Sequence, residues 1–168
     1  GYTGRVYVFH SAGNQGVTAT AAASARTRIT GETTDHLFGT SVATGDINGD
    51  GYEDLAVGAS GYSTGTGRVY VFHSAGSEGV NATLASSASL IITGETTSSF
   101  GVSVATGDVN GDGYTDLAAG ASIYGGNTGQ VYVFHSAGSP GVTTTLAASA
   151  NTRIAGQAAS YFGVAVAP

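Results

Sequence analysis

The sequence predicts an all-β fold made of repeated small antiparallel sheets, and two observations carry this prediction. The ten-residue string GRVYVFHSAG begins at Gly4, returns unchanged at Gly67 and returns with one substitution, Gln130, at Gly129. The resulting period of 62 or 63 residues is typical of solenoids, propellers and arrays. In addition, 28 of the 168 residues are Gly, which indicates many turns between short elements.

One period contains four β-type runs of strand length, at residues 38–43, 54–58, 68–72 and 89–93. In the third run the valines alternate with Arg68, Tyr70 and Phe72, so both faces of the strand carry large apolar side chains. A single four-stranded sheet cannot bury two apolar faces. Radial stacking of such sheets around an axis, as the blades of a β-propeller, buries both.

The whole chain, residues 1–168, is a single repeat region that holds about 2.7 blades. Residues 1–37 form a partial blade, residues 38–99 and 100–161 are full repeats, and residues 162–168 start the next repeat. Two or three blades cannot close a ring, so unpaired sheet edges would be exposed. We therefore expect an incomplete ring or part of a larger assembly, made from further blades of a longer chain, from copies of this chain, or from a serial array.

Two copies of the string D-x-N-G-D-G-Y-x-D, at residues 46–54 and 108–116, indicate two calcium loops. Side chains at positions 1, 3, 5 and 9 supply hard oxygen atoms, and the carbonyl at position 7 adds a fifth ligand, as Ca²⁺ requires. Glycines at positions 4 and 6 permit the positive φ angles of a tight loop. The predicted metal ligands are Asp46, Asn48, Asp50, Tyr52, Asp54, Asp108, Asn110, Asp112, Tyr114 and Asp116.

These loops are not EF-hands, because Val57 and Ala119 stand where an EF-hand needs a bidentate Glu and no helical periodicity flanks either loop. The alternative is an Asx-rich turn between strands, since turns select Asp, Asn and Gly. However, three carboxylates within one loop repel one another, and a divalent cation relieves that repulsion. We therefore expect two structural Ca²⁺ ions.

Composition excludes several classes of partner. The net charge is −6, and six of the eleven acidic residues are predicted ligands in the two loops. With five scattered Arg and no Lys, the chain has no basic stripe for nucleic acid. No apolar run approaches the ~20 residues of a membrane helix, so membrane insertion is not expected. Since weak calcium sites of ~0.1 to 1 mM fill outside the cell, the loops favour an extracellular location.

Four other features are candidate sites with simpler explanations. His10, His73 and His135 follow the same strand in three repeats and would lie too far apart to share a metal ion, so a turn-stabilising role is favoured. Residues 61–65 match the hydrolase string G-x-S-x-G without the strand-to-helix context that it needs. Asp35 and His36 break the repeat as a surface loop, and Asn81 opens a lone N-glycosylation sequon.

The order of motifs resembles the FG-GAP repeat family, the calcium-binding repeats of integrin α-subunit propellers and of many secreted bacterial proteins. Phe-Gly, the D-x-N-x-D-G-x-x-D loop, Gly-Ala and a G-x-V-Y-V-F strand occur in that order at residues 38–72 and 100–134. Ser60 and Ser122 replace the Pro of the family name. The resemblance implies a seven-bladed propeller of four-stranded blades, with calcium loops between the first two strands of a blade.

We interpret the chain as an extracellular, calcium-binding propeller that serves as a structural or adhesive module, able to self-assemble into an oligomer or filament, and not as an enzyme. Its partners would be further blades, glycans or a cell-surface protein. One alternative is a lectin, in which Tyr2, Tyr62 and Tyr124 stack on sugar rings. A weaker alternative is a polysaccharide lyase, which the scarcity of basic residues disfavours.

Overall fold

The chain folds into three antiparallel sheets that follow one another in sequence, in a computed structural model that describes residues 1–11 and 13–167. The first sheet has two strands, and the second and third have four strands each. The strands are β1 (Arg5–Val8), β2 (Thr27–Thr30), β3 (Phe38–Gly45), β4 (Asp54–Ala59), β5 (Arg68–Phe72), β6 (Leu90–Thr93), β7 (Phe100–Gly107), β8 (Asp116–Ala121), β9 (Gln130–Phe134) and β10 (Thr152–Ala155).

Helical structure is limited, within the described residues, to single turns in the connections. Two four-residue turns, α1 (Tyr62–Gly65) and α2 (Tyr124–Asn127), contain residues with left-handed backbone angles and are therefore not regular helices. The 3₁₀ turns are Gly13–Gln15, Ala22–Ser24, Gly76–Glu78, Ala85–Ser87 and Ala147–Ser149. Within residues 1–11 and 13–167, none of the helices has the length and apolar character needed to cross a bilayer.

Sequential neighbours pair in each four-stranded sheet, giving the strand orders β3-β4-β5-β6 and β7-β8-β9-β10. The predicted all-β fold of four-stranded antiparallel propeller blades is confirmed. The predicted strands coincide with the observed ones except at their ends: β3 continues to Gly45, β4 continues to Ala59, and β6 begins at Leu90. A register shift between Phe38 and Ser41, repeated between Phe100 and Ser103, bends the first strand of each sheet.

The two faces of β5 pack against different neighbours. Tyr70 and Phe72 belong to a buried cluster shared with the first sheet, whereas Val69 and Val71 belong to a second cluster shared with the third sheet. The prediction of a strand packed on both faces is thus confirmed. The second sheet is a middle layer whose stability depends on both neighbours.

Adjacent sheets are also joined by repeated polar contacts. The Ser41 hydroxyl on β3 donates to the Gly101 carbonyl at 2.9 Å, and Gly67 forms an isolated parallel bridge with Phe100. One period later the Ser103 hydroxyl donates to the Gly163 carbonyl at 2.8 Å, and Gly129 bridges Phe162 in the same way. Residues 162–163 therefore repeat on the third sheet the contacts that residues 100–101 make on the second.

Candidate metal centre

Both predicted calcium loops connect the first strand of a four-stranded sheet to the second. The first loop (residues 46–54) follows β3, and the second loop (residues 108–116) follows β7. Ladder pairing ends at Gly45 with Asp54 and at Gly107 with Asp116, so the last predicted ligand of each loop is also the first residue of a strand. The strand ladder therefore fixes the position of that carboxylate.

Side chains in the first loop fold the backbone around themselves. Asp46 accepts hydrogen bonds from the backbone N–H groups of Asp50 (2.9 Å) and Gly51 (2.8 Å), one on each carboxylate oxygen. The Asn48 side-chain oxygen accepts from Asp50 N–H at 3.0 Å, and the Asp50 carboxylate accepts from Tyr52 N–H at 2.9 Å. These bonds turn the polar side chains of alternate residues toward the inside of the loop.

The second loop repeats this pattern at equivalent atoms. Asp108 accepts from Asp112 N–H (3.0 Å) and Gly113 N–H (2.9 Å), and Asn110 also accepts from Asp112 N–H (2.9 Å). The Tyr114 N–H and the Asn110 side-chain amide each donate to the Asp112 carboxylate at 2.9 Å, and both bonds lower the pKa of Asp112 below its usual range. The Asp112 carboxylate is therefore held in its charged form.

The carboxylates at position 9 are the buried members of the set. Asp54 and Asp116 are fully shielded from solvent. One oxygen of Asp54 accepts from Ile47 N–H (3.1 Å) and Asn48 N–H (3.2 Å), and the other accepts from Ser74 N–H (2.8 Å). Burial raises the pKa of Asp54, while its bond with Ser74 N–H and the nearby His73 oppose that rise. A buried carboxylate thus joins the loop to a segment after the third strand.

We call the segments after the third strands the connectors: residues 73–79 after β5 and residues 135–141 after β9. Ser136 N–H donates to Asp116 at 2.9 Å, as Ser74 N–H does to Asp54. The rings of Tyr52 and Tyr114, whose carbonyls are predicted ligands, lie beside Gly76 and Gly138 of the connectors. Each loop is therefore backed by the connector of its own sheet.

The donor set fits calcium in its chemistry. All predicted ligands are hard oxygens, and Gly49, Gly51, Gly111 and Gly113 adopt the positive φ angles that the sequence predicted. A carboxylate offers about four lone-pair sites, so a single N–H group on an oxygen of Asp46 leaves capacity for a cation. Among the described residues, no three Asp, Glu or His side chains converge into a metal cluster, and the ligand assignment stays a prediction.

The other candidate residues occupy separate places. His10, His73 and His135 follow β1, β5 and β9, which belong to three different sheets. The backbone N–H groups of His73 and His135 donate to Ser89 and Asn151 before the fourth strand, and the turn-stabilising role of the imidazole side chains stays a prediction.

The tyrosines of the lectin alternative differ in their surroundings. The Arg68 guanidinium lies 3.5 Å above the Tyr62 ring, and His36 packs edge-on against the same ring. Tyr124 packs against Tyr132, whereas Tyr2 is exposed. Ser63 of the G-x-S-x-G string lies inside the turn α1 with a left-handed backbone. The ring of Tyr62 is therefore covered by neighbouring side chains, whereas Ser63 is exposed without the strand-to-helix setting of a hydrolase nucleophile.

Ser74 and Ser136 were not among the residues predicted for the centre. The signal was present, because both lie in the string HSAG, which repeats without change at residues 73–76 and 135–138. In the sequence the histidine of this string was the candidate metal ligand. In the structure the backbone N–H of the following serine contacts the loop carboxylate.

The fold and the loops define a β-propeller repeat protein. The family model of the FG-GAP repeat matches residues 38–72 and 100–134, each of which runs from the first strand of a four-stranded sheet through the loop to the third strand. The chain therefore contains two FG-GAP repeats.

Integrin α subunits are among its relatives. The chain is 40% identical to integrin alpha-3 of Mus musculus over 104 residues, which cover 59% of the chain and 9% of that protein. It is 39% identical to integrin alpha-PS2 of Drosophila melanogaster over 123 residues (67% and 8%) and 41% identical to integrin alpha-IIb of Homo sapiens over 120 residues (64% and 11%). The chain spans about a tenth of the length of these relatives.

Proposed function

We propose that this chain is a calcium-stabilised part of an extracellular β-propeller that acts as a structural and adhesive binding module rather than as an enzyme. Its FG-GAP repeats and its similarity to integrin α subunits support a binding role. The observation that carries the calcium part is the pair of wholly buried carboxylates, Asp54 and Asp116, each bonded both to its loop and to the connector of the same sheet.

Calcium would act on stability. The ion would be held by Asp46, Asn48, Asp50, Asp54 and the Tyr52 carbonyl in the first loop, and by the equivalent residues in the second. It would supply positive charge beside three carboxylates. Because a ligand that binds the folded chain stabilises it, calcium at a hundred times its Kd would add about 2.7 kcal/mol per site to the free energy of unfolding.

Further blades are the proposed partners. Ile47 of the first loop is wholly buried next to the third sheet, while Val109, at the same place in the second loop, is 54% exposed. A further sheet of the same kind, from more of this chain or from another copy, would cover Val109 as the third sheet covers Ile47. We propose that this partner is a further FG-GAP blade. The surface of the assembled propeller that recognises a cell-surface protein would lie next to it.

The side chains give the two alternative functions little support. Sugar stacking needs an open aromatic face, but the Arg68 guanidinium lies over Tyr62, and of the three candidate tyrosines Tyr2 alone is exposed. A lyase needs a basic residue beside the ion, yet Arg26, Arg68 and Arg153 form ion pairs with Glu78, Glu32 and Glu95. A binding module agrees with both observations.

Calcium binding is tested by calorimetric titration together with thermal unfolding, with and without chelator. We expect two calcium ions per chain and a higher melting temperature in calcium. The matched variants Asp50→Asn and Asp112→Asn should each remove one ion and part of the rise in melting temperature, because each removes a charged ligand from one loop. Melting curves that are identical with calcium and with chelator would refute the structural role of calcium.

The adhesive part needs a separate measurement. Surfaces coated with the chain should capture cells in calcium and lose them in chelator, with the double variant Asp50→Asn/Asp112→Asn as the matched control. Equal capture by the double variant and the unaltered chain would show that adhesion does not depend on the loops. Binding to a glycan array would instead support the lectin alternative.

A further inference from the structure

One buried serine contacts both loops. The Ser136 hydroxyl donates to the Ile47 carbonyl oxygen of the first loop at 2.9 Å, across the boundary between the second and third sheets. Its backbone N–H donates to the Asp116 carboxylate of the second loop at 2.9 Å. Ser136 is 1% exposed, so neither bond is shared with solvent. A single residue thus bonds to two candidate metal sites that are 62 residues apart in sequence.

These bonds form a continuous chain between two predicted ligands. The carbonyl of Ile47 and the N–H of Asn48 belong to the same peptide unit, and that N–H donates to Asp54 at 3.2 Å. Asp54 is therefore linked through the Ile47–Asn48 peptide unit and Ser136 to Asp116. The Ser136 hydroxyl bond and the Asn48 N–H bond lie on the two ends of one peptide unit, so each polarises the other, and burial strengthens them.

The connector of the third sheet also packs tightly on the first loop. A Cβ atom added at Gly141 would lie 2.5 Å from the Ile47 carbonyl oxygen and 2.9 Å from the Asn48 Cα atom. Gly141 has φ of +84°, so both its backbone angle and the close approach require glycine. The first loop is thus held from outside by residues 135–141, while Val109 and Asn110 of the second loop are exposed.

Ser74 provides an internal comparison. Its N–H bonds to Asp54 as that of Ser136 bonds to Asp116, but its hydroxyl donates to Gly76 of its own connector at 3.2 Å. The same serine in the same repeat position therefore contacts one loop at residue 74 and two loops at residue 136.

We propose that Ser136 is a positioning residue that couples the two calcium loops, so that occupation of either loop raises the calcium affinity of the other. The inference rests on the calcium binding proposed above. A cation that fixes Asp116 also fixes the connector, and the connector holds the first loop, so the second binding event orders fewer groups. Coupling free energy is reciprocal, so both loops gain by the same factor.

The test follows each loop separately by NMR. The backbone amide signals of Gly51 and Gly113, which bond to Asp46 and Asp108, report the two loops during one calcium titration of the whole chain. The proteins compared are the unaltered chain, Asp112→Asn, Ser136→Ala and the combined variant Asp112→Asn/Ser136→Ala. Ser74→Ala, alone and combined with Asp112→Asn, is the matched control.

In the chain that keeps Ser136, Asp112→Asn should raise the calcium concentration at the midpoint of the Gly51 signal change about fivefold or more. A fivefold change is the lower end of ordinary coupling. With Ser136→Ala the same change should leave that midpoint unaltered, and with Ser74→Ala the fivefold effect should persist. A fivefold effect that survives Ser136→Ala, or no effect in the unaltered background, would overturn the coupling.

Two further outcomes separate this inference from the proposed function. If neither glycine signal responds to calcium, the calcium function itself fails; if both respond independently, only the coupling fails. Should Ser136→Ala not fold, Ser136→Cys keeps a side chain of similar size with a weaker donor and should reduce the coupling. An undiminished coupling in Ser136→Cys, with a hydroxyl-free side chain, would count against the proposal.

Discussion

The two complete repeats have nearly the same sequence but different neighbours. Ile47 and Val109 occupy the same position after the first strand, yet Ile47 is wholly buried and Val109 is 54% exposed. The hydrogen bonds inside the two loops agree almost atom for atom. The comparison shows that the local sequence builds the loop, while the next sheet decides how strongly the loop is held.

The largest expected effect comes from the buried carboxylates. Asp54→Ala leaves the N–H groups of Ile47, Asn48 and Ser74 without an acceptor, at about 1 to 3 kcal/mol each, so unfolding in chelator should require about 4 kcal/mol less. Asp116→Ala, which removes the acceptor of Val109 and Ser136 N–H groups, should cost less. Urea unfolding measures both. Equal losses would mean that the two repeats do not differ at position 9.

The second-largest effect tests the difference in burial between Ile47 and Val109. Ile47→Ala should cost about 3 kcal/mol of unfolding free energy, because it empties space in the cluster between the second and third sheets. Val109→Ala should change stability by about 0.5 kcal/mol or less, as at other exposed positions. Chemical unfolding of the two variants side by side provides the measurement. A large loss in Val109→Ala would reveal that a further partner covers the second loop in solution.

The smallest effect concerns Tyr132, the counterpart of Tyr70. Burial and a 2.8 Å hydrogen bond to Glu95 raise the pKa of Tyr132, while burial raises that of Tyr70. The folded chain keeps the Tyr132 proton above pH 10, where the unfolded chain loses it. The contribution of this proton to the free energy of unfolding is therefore complete below about pH 10. Above that pH the contribution falls by about 1.4 kcal/mol per pH unit.

Tyr132→Phe should cost about 1.5 kcal/mol near neutral pH, since it removes a hydrogen bond to a charged group. The difference from the unaltered chain should shrink as the pH rises above 10. Tyr70→Phe is the matched control, and thermal unfolding between pH 7 and 11 would follow both. A difference that stays constant with pH would show that Tyr132 titrates normally in the folded chain.

The polar surroundings of these tyrosines differ together with two substitutions, Gln130 in place of Arg68 and Arg153 in place of Ile91. Arg68 of the second sheet pairs with Glu32 at 3.3 Å and lies over Tyr62, but Gln130 stands at the same place in the third sheet. There Glu95 accepts from the Tyr132 hydroxyl and lies 3.6 Å from Arg153. The third sheet thus has a cation on its fourth strand, at Arg153, and a neutral residue on its third strand, at Gln130, while the pairing of the third strand is retained.

The sequence predicted the strands and the loop glycines because both depend on local rules. Alternation in Arg68–Phe72 predicted a strand buried on both faces, and the glycines of the loops have the expected positive φ angles. The turns α1 and α2 were missed because their left-handed residues include Ser63, Thr64 and Asn127, which carry no glycine signal. The bonds of Ser74 and Ser136 to the loops were missed because they join distant segments.

By itself the sequence determined the repeat, the four-stranded antiparallel blades and the placement of oxygen donors in each loop, since alternation, turn residues and motif spacing act over a few residues. The tertiary structure decided that Ile47 is buried while Val109 is exposed, and that the hydroxyl of Ser136 reaches a second loop while that of Ser74 does not. The physical reason is that burial and contacts between sheets depend on which sheet lies next to a residue. Two identical stretches of sequence contain no information about which sheet packs beside each of them.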